Sequence, residues 1–186
     1  TGRIIRSGNL PMEPGWYVAS THLWWGGSIW KATTHKFTLT DPKVVAAYTW
    51  LQSYSRRLGK EAFSEFQSGT GNFDSPQNAF LAGTVAMEQQ GPWMANYILN
   101  LKPSMDGVAN ASEDDFNQPL AERLKHMQWA AAPFPSAVPG LNDVTVCSFD
   151  TFVIPKGAKH PKEAFEFMAY VNQQPVMEQL CKMHSK

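Results

Sequence analysis

Residues Thr84–Ile98, TVAMEQQGPWMANYI, change their periodicity half-way along. Val85 and Met87 alternate onto one face of a short strand, expected over Thr84–Gln90, and Gly91-Pro92 ends it. Proline lacks an N–H and sits without penalty in the first turn of a helix, so a helix opens at this point. A strand that hands directly to a helix is the repeating unit of α/β folds, and in such sheets ligands gather at the strand ends. Trp93 stands at that edge. Its ring can pack against the sheet, or it can face a ligand.

The rest of the chain alternates in the same way. DPKVVAAYTWLQSYSRRLG reads as the clearest helix. Asp41 caps it, Pro42 takes the first turn, and Val44, Tyr48, Leu51 and Leu58 recur at helical spacing before Gly59 stops it. A polar connection containing SGTGNFD follows, then a short helix in SPQNAFLAG, capped by Ser75 and closed by Gly83. Residues 100–118 read as an exposed polar excursion, and PLAERLKHM as a weak helix. WAAAPFPSAVPG reads as a strand running into a proline-rich loop. VTVCSFDTFVIPKG carries the strongest strand signal, rich in β-branched residues and phenylalanine. Two helices close the chain, HPKEAFEFMAYVNQQ, started at Pro161, and PVMEQLCKM. The first 31 residues read as loops with short strands. No internal repeat or low-complexity segment is present.

Charge excludes one class of function. Sixteen basic and sixteen acidic residues leave a formal net charge of zero over 186 residues. A single-stranded nucleic-acid binder could use the same aromatics as base platforms, but it would need a basic stripe, and the overall balance makes no electrostatic case for nucleic acid or for an anionic membrane. No apolar run approaches the roughly 20 residues of a membrane span. Cys147 and Cys181 lack zinc-site spacing and read as buried free thiols, with one disulfide left open.

Aromatic residues make up 12% of the chain, seven of them tryptophan. A flat, stiff, amphipathic ring suits stacking on the apolar face of a pyranose. Besides Trp93, the candidates are Trp16, Tyr17, Trp24 and Trp25. In an extended segment the adjacent Trp24 and Trp25 point to opposite faces, so at most one faces a ligand. Gly26-Gly27 permits close backbone approach. Asp150 lies mid-strand between Phe149 and Phe152 and needs either a partner or water.

Glycoside hydrolysis, the competing reading, requires two carboxyl groups about 5–10 Å apart. Glu13, Asp74, Glu88 and Asp150 are available, but sequence fixes no pair, and Glu88 is expected to face solvent or the opposite layer. Nucleophile-elbow, P-loop and HExxH motifs are absent, and the five histidines are never four apart. Neither a metal nor a cofactor is expected.

Four segments in order then resemble a known family. AFLAGTVAMEQQGPW and CSFDTFVIPKGAKHPKEAFEFMAYV are similar to late segments of the extracellular solute-binding proteins of ABC sugar importers, the maltose-binding-protein-like family 1. FTLTDPKVVAAYTWLQSYSRRLG and EPGWYVASTHLWWGG fall in the same order. The resemblance implies an α/β lobe of the type II periplasmic-binding-protein fold in an incomplete two-lobed architecture. It makes the chain an internal fragment, with 1–145 most of the second lobe and 146–186 a crossover strand and helices of the first. It implies capture of a carbohydrate in an inter-lobe cleft without catalysis, and delivery to the permease subunits of an ABC transporter. The location implied is periplasmic or extracellular, with a lipoprotein anchor on a segment outside the chain. The matching motifs place Trp16 or Tyr17 and Trp93 at the ligand, and Ser148 and Asp150 near the hinge; Trp25, Gly26 and Gly27 complete the expected ligand-binding set on their own chemistry. Hydrophobic residues of the last segment, deprived of their sheet, are expected to drive self-association.

Overall fold

The computed structural model describes residues 2–11, 16–108, 118–142, 144–147 and 151–184. The chain divides into two compact units, Thr1–Val146 and Cys147–Lys186.

In the first unit, strand β1 (Ser7–Asn9) runs parallel to β4 (Val85–Met87), with Ser7 opposite Val85 and Asn9 opposite Met87. Parallel neighbours need a long crossover. Here it contains α1 (Trp16–Ser20), a 3-10 turn (Thr21–Trp25), an antiparallel hairpin of β2 (Trp30–Lys31) and β3 (Lys36–Phe37), α2 (Pro42–Leu58) and α3 (Lys60–Ser68). After β4 come α4 (Met94–Leu101), a 3-10 turn (Pro103–Met105) and α5 (Leu120–His126). This mixture of helices with a small partial sheet is the α/β architecture expected of a lobe of a solute-binding protein.

Helix α2 forms as its sequence dictates. The Asp41 carboxylate accepts from the Lys43 N–H at 2.9 Å, Pro42 occupies the first turn, and Gly59 leaves the helix with φ of 87°. Val44 and Ala47 carry its buried face. A side chain at Gly27 would meet Val44 Cγ2 at 3.1 Å and Lys43 Cβ at 3.3 Å, so that glycine lets the preceding turn lie close on α2.

Two apolar clusters hold the strand–helix junction. Leu10, Ala79 and Val85 pack with Phe63 and Phe66 of α3, while Leu81, Met94 and Ile98 pack with Tyr97, Met105 and Trp129. Phe80 touches both clusters. Helix α3 escapes a reading that takes the region after Gly59 as a polar connection. Its apolar face is short, Ala62, Phe63 and Phe66, and only tertiary packing makes it worth forming.

Other expectations are corrected. Trp16 to Trp25 is helical rather than extended, in α1 and the 3-10 turn. SPQNAFLAG forms successive turns, because the Asn78 side chain accepts from the N–H groups of Phe80 and Leu81, offering the backbone an alternative to a helix. Neither WAAAPFP nor the described part of VTVCSFDTFVIPKG forms a strand. Strand propensity needs an edge to pair with, and among the described residues none lies alongside. Residues 103–108 are not an exposed excursion, since Asp106 and Val108 are buried; 109–117 lie outside the described residues. Both cysteines are free and exposed, so burial is not what keeps them unpaired.

The second unit comprises α6 (Pro161–Val171) and α7 (Gln174–His184), the former opened at Pro161 as its sequence requires. Phe152, Val153, Phe165, Phe167 and Tyr170 are exposed there.

His22 gives the first unit a pH dependence. It is only 5% exposed, and burial lowers its pKa below the ordinary 6.5. The unfolded chain therefore takes up the proton more readily. The native state is fully favoured above about pH 6.5 and loses stability as pH falls towards the folded pKa, by at most ~1.4 kcal/mol per pH unit from this group. Thermal melts from pH 7.5 to 5 should show this loss, and His22→Gln should flatten it. Parallel curves for the two proteins would remove His22 as the cause.

Candidate functional site

At the exit of β4, residues 88–91 lead into the turn that opens α4. Trp93 takes the cap position with helical φ and ψ of −61° and −19°, and its side chain makes no capping bond. The indole instead folds back over the preceding turn. A Cβ on Gly91 would collide with the six-membered part of the ring, so Gly91 is what lets the indole lie there. The Gly-Pro pair thus does two things: it ends the strand, and it clears a bare backbone surface for the tryptophan.

A relay of side chains fixes the ring. Trp93 Nε1 donates to Gln90 Oε1 at 3.2 Å, and Gln90 Nε2 donates to Glu88 Oε1 at 3.3 Å. The same Glu88 oxygen accepts from Asn78 Nδ2 at 2.8 Å. Asn78 is fully buried, and its Oδ1 receives the N–H groups of Phe80 and Leu81 at 2.9 and 3.1 Å. The chain of bonds therefore begins in the backbone of the core and ends on the edge of an indole. Beside it the Phe73 ring lies 6.2 Å from that of Trp93 and 5.5 Å from that of Tyr97. Glu88, Gln90, Trp93, Phe73 and Tyr97 are all half-buried. Rings next to a carboxylate and an amide are the groups that recognise a solute with an apolar face and hydroxyl edges.

Of the relay, only Trp93 stands out in the sequence as a ligand-binding candidate. Glu88 turns towards Asn78 rather than to open solvent, and Gln90, Phe73 and Asn78 carry no motif. The one available signal is the run of polar residues Glu88, Gln89 and Gln90 at the end of an apolar strand.

The other aromatics divide. Trp24 is buried, lies 4.0 Å from Phe134 and donates its Nε1 to the Val144 carbonyl at 3.0 Å, a core residue with its polar handle satisfied. Trp25 is half-buried, 5.2 Å from Trp50, which stands 5.3 Å from Tyr54. The Arg57 guanidinium lies 4.9 Å over the Tyr54 ring and closes this row along α2. Gly26 terminates the 3-10 turn with φ of 64°, its N–H bonded to the carbonyls of His22 and Leu23. Trp16 and Tyr17 begin α1. Ser148, Asp150 and Glu13 lie outside the described residues.

The family profile described as bacterial extracellular solute-binding protein matches residues 9–185. The chain belongs to that family. It therefore has the fold of a solute-binding lobe, a periplasmic or extracellular location, and the role of binding component in a transport system, with a solute as ligand and a membrane transporter as partner. Solute-binding proteins of this family are generally non-enzymatic. No curated protein and no solved structure matches the chain. No helix among the described residues is long and apolar enough to cross a membrane.

Proposed function

We propose that this solute-binding protein captures a carbohydrate for an ABC importer, without catalysis, and hands it to the permease. The observation that carries this reading is the Trp93 relay, a half-buried indole held by Gln90, Glu88 and Asn78 with Phe73 and Tyr97 beside it. A pyranose stacks its C–H face on Trp93, and its hydroxyls exchange hydrogen bonds with Glu88 and Gln90. In this assignment residues 1–145 correspond to most of the second lobe and form one wall of the cleft, and residues 146–186 belong to the first lobe. Trp16, Tyr17, Trp25 and the Gly26-Gly27 backbone extend that wall, while Ser148 and Asp150 take the hinge.

Ligand that binds only the native state raises stability by about 2.7 kcal/mol at a hundred times its Kd. Mono- and oligosaccharides screened by thermal shift should therefore include at least one neutral sugar that raises the melting temperature by several degrees. Turnover of a glycoside, abolished by Glu88→Gln, would replace binding with hydrolysis.

The exposed large apolar side chains of Cys147–Lys186 also support self-association. Burying a large apolar side chain contributes about 1.5–3 kcal/mol, and Phe152, Phe165 and Phe167 are all more than half exposed. Sedimentation at rising concentration should show a growing average mass. A constant monomer mass up to high micromolar concentration would exclude it.

A further inference from the structure

The hairpin Trp30–Phe37 leaves an aromatic pair and a pair of like charges in water. Trp30 pairs with Phe37 across the strands, their rings 5.1 Å apart, yet Phe37 is 71% exposed and Trp30 41%. The next pair sets Lys31 directly opposite Lys36. Like charges directly opposite each other destabilise a strand pair, and the Trp30–Phe37 pair, although its ring contact steadies the hairpin, leaves an apolar patch in water. His35, at the tip with φ of 50°, sets its ring 6.2 Å from Trp30, and Leu39 just beyond is exposed as well.

The surroundings sharpen the contrast. No Asp or Glu occurs between Glu13 and Asp41, although the whole chain is neutral. The Asp41 carboxylate is engaged at the N–H of Lys43 as the cap of α2. The projection is therefore locally basic and aromatic. Overall neutrality hides this, because charges further apart than about 10 Å are screened at ordinary ionic strength.

We infer that this hairpin is a membrane-contact element, which lays Trp30, Phe37 and Leu39 into the headgroup region of a bilayer while Lys31 and Lys36 meet anionic lipid. Rings prefer the polar–apolar boundary, and lysines reach outward from it to phosphate. On such a surface the exposed ring pair gains an apolar boundary and the opposed lysines gain counter-charges. The inference is independent of which solute the protein carries.

Co-sedimentation with vesicles tests it. The chain should pellet with vesicles of 30% phosphatidylglycerol in phosphatidylcholine at millimolar lipid and low salt. It should not pellet with pure phosphatidylcholine, and half-molar salt should release it. Lys31→Gln with Lys36→Gln should weaken binding roughly 30-fold, at about one kcal/mol for each lysine. Trp30→Ala with Phe37→Ala should weaken it about tenfold or more. All these side chains are exposed, so the melting temperature should barely move, which separates lost contact from lost fold. No pelleting with anionic vesicles, equal pelleting with neutral ones, or unchanged binding in both double variants would overturn the inference. An acidic protein surface would then be the better partner for the hairpin.

Discussion

Asp106→Ala is expected to destabilise the first unit by about 3–5 kcal/mol, the largest effect of any single substitution considered for this chain. Asp106 is 2% exposed and Arg123 9%, and their carboxylate and guanidinium are in direct contact. The second Asp106 oxygen accepts from Trp129 Nε1 at 3.0 Å. One carboxylate thus joins three segments: the turn after α4, helix α5, and the chain leaving α5. The backbone is closed around it. Gln128 N–H bonds the Met105 carbonyl at 2.8 Å, and a Cβ on Gly107, where φ is 77°, would run into the Arg123 carbonyl. Removing the carboxylate leaves a buried guanidinium and an indole N–H without their acceptor, and the tight backbone leaves little room for relaxation. For a chain of this size the loss corresponds to roughly 6–20 °C in melting temperature. Replacing both partners together, Asp106→Leu with Arg123→Met, should recover most of it, because the cost lies in the orphaned charge. A double variant no better than Asp106→Ala would mean that the pair also supplies net attraction.

The second large effect is on binding. Trp93→Ala should weaken carbohydrate affinity by about 1–3 kcal/mol, or roughly 5- to 150-fold, as removal of an aromatic anchor does elsewhere. Stability should fall less, since Trp93 is half-buried and the fully buried members of the neighbouring cluster, Leu81 and Ile98, remain. Gly91→Ala offers a separate route to the same loss. It keeps the indole but denies it the bare backbone on which it lies. If Trp93→Ala instead melts far earlier and the folded remainder binds normally, Trp93 is a core residue.

Local rules made some of this structure legible in the sequence. Helix α2 is bounded by Asp41, Pro42 and Gly59, three residues whose backbone chemistry acts within one turn, and α6 begins at Pro161 for the same reason. The junction into α4 was readable because Gly91 and Pro92 break a strand wherever they stand. What escaped depends on distant partners. Helix α3 forms because Phe63 and Phe66 find the Leu10 cluster, and VTVCSFDTFVIPKG, for all its β-branched residues, has no strand to pair with among the described residues. The site divides in the same way. Trp93 is conspicuous by type and place. Its relay exists only because the turns around Asn78 come back beside Glu88, a long-range approach that no spacing within the strand encodes.

The measurement closest to the central claim is calorimetric titration of neutral oligosaccharides into the full natural protein and its Trp93→Ala variant, with the product mixture checked for cleavage. Saturable binding to at least one sugar, weakened roughly 5- to 150-fold in the variant and leaving the sugar intact, is the predicted result. Equal affinity in the two proteins, or a folded protein that binds no carbohydrate, would contradict it.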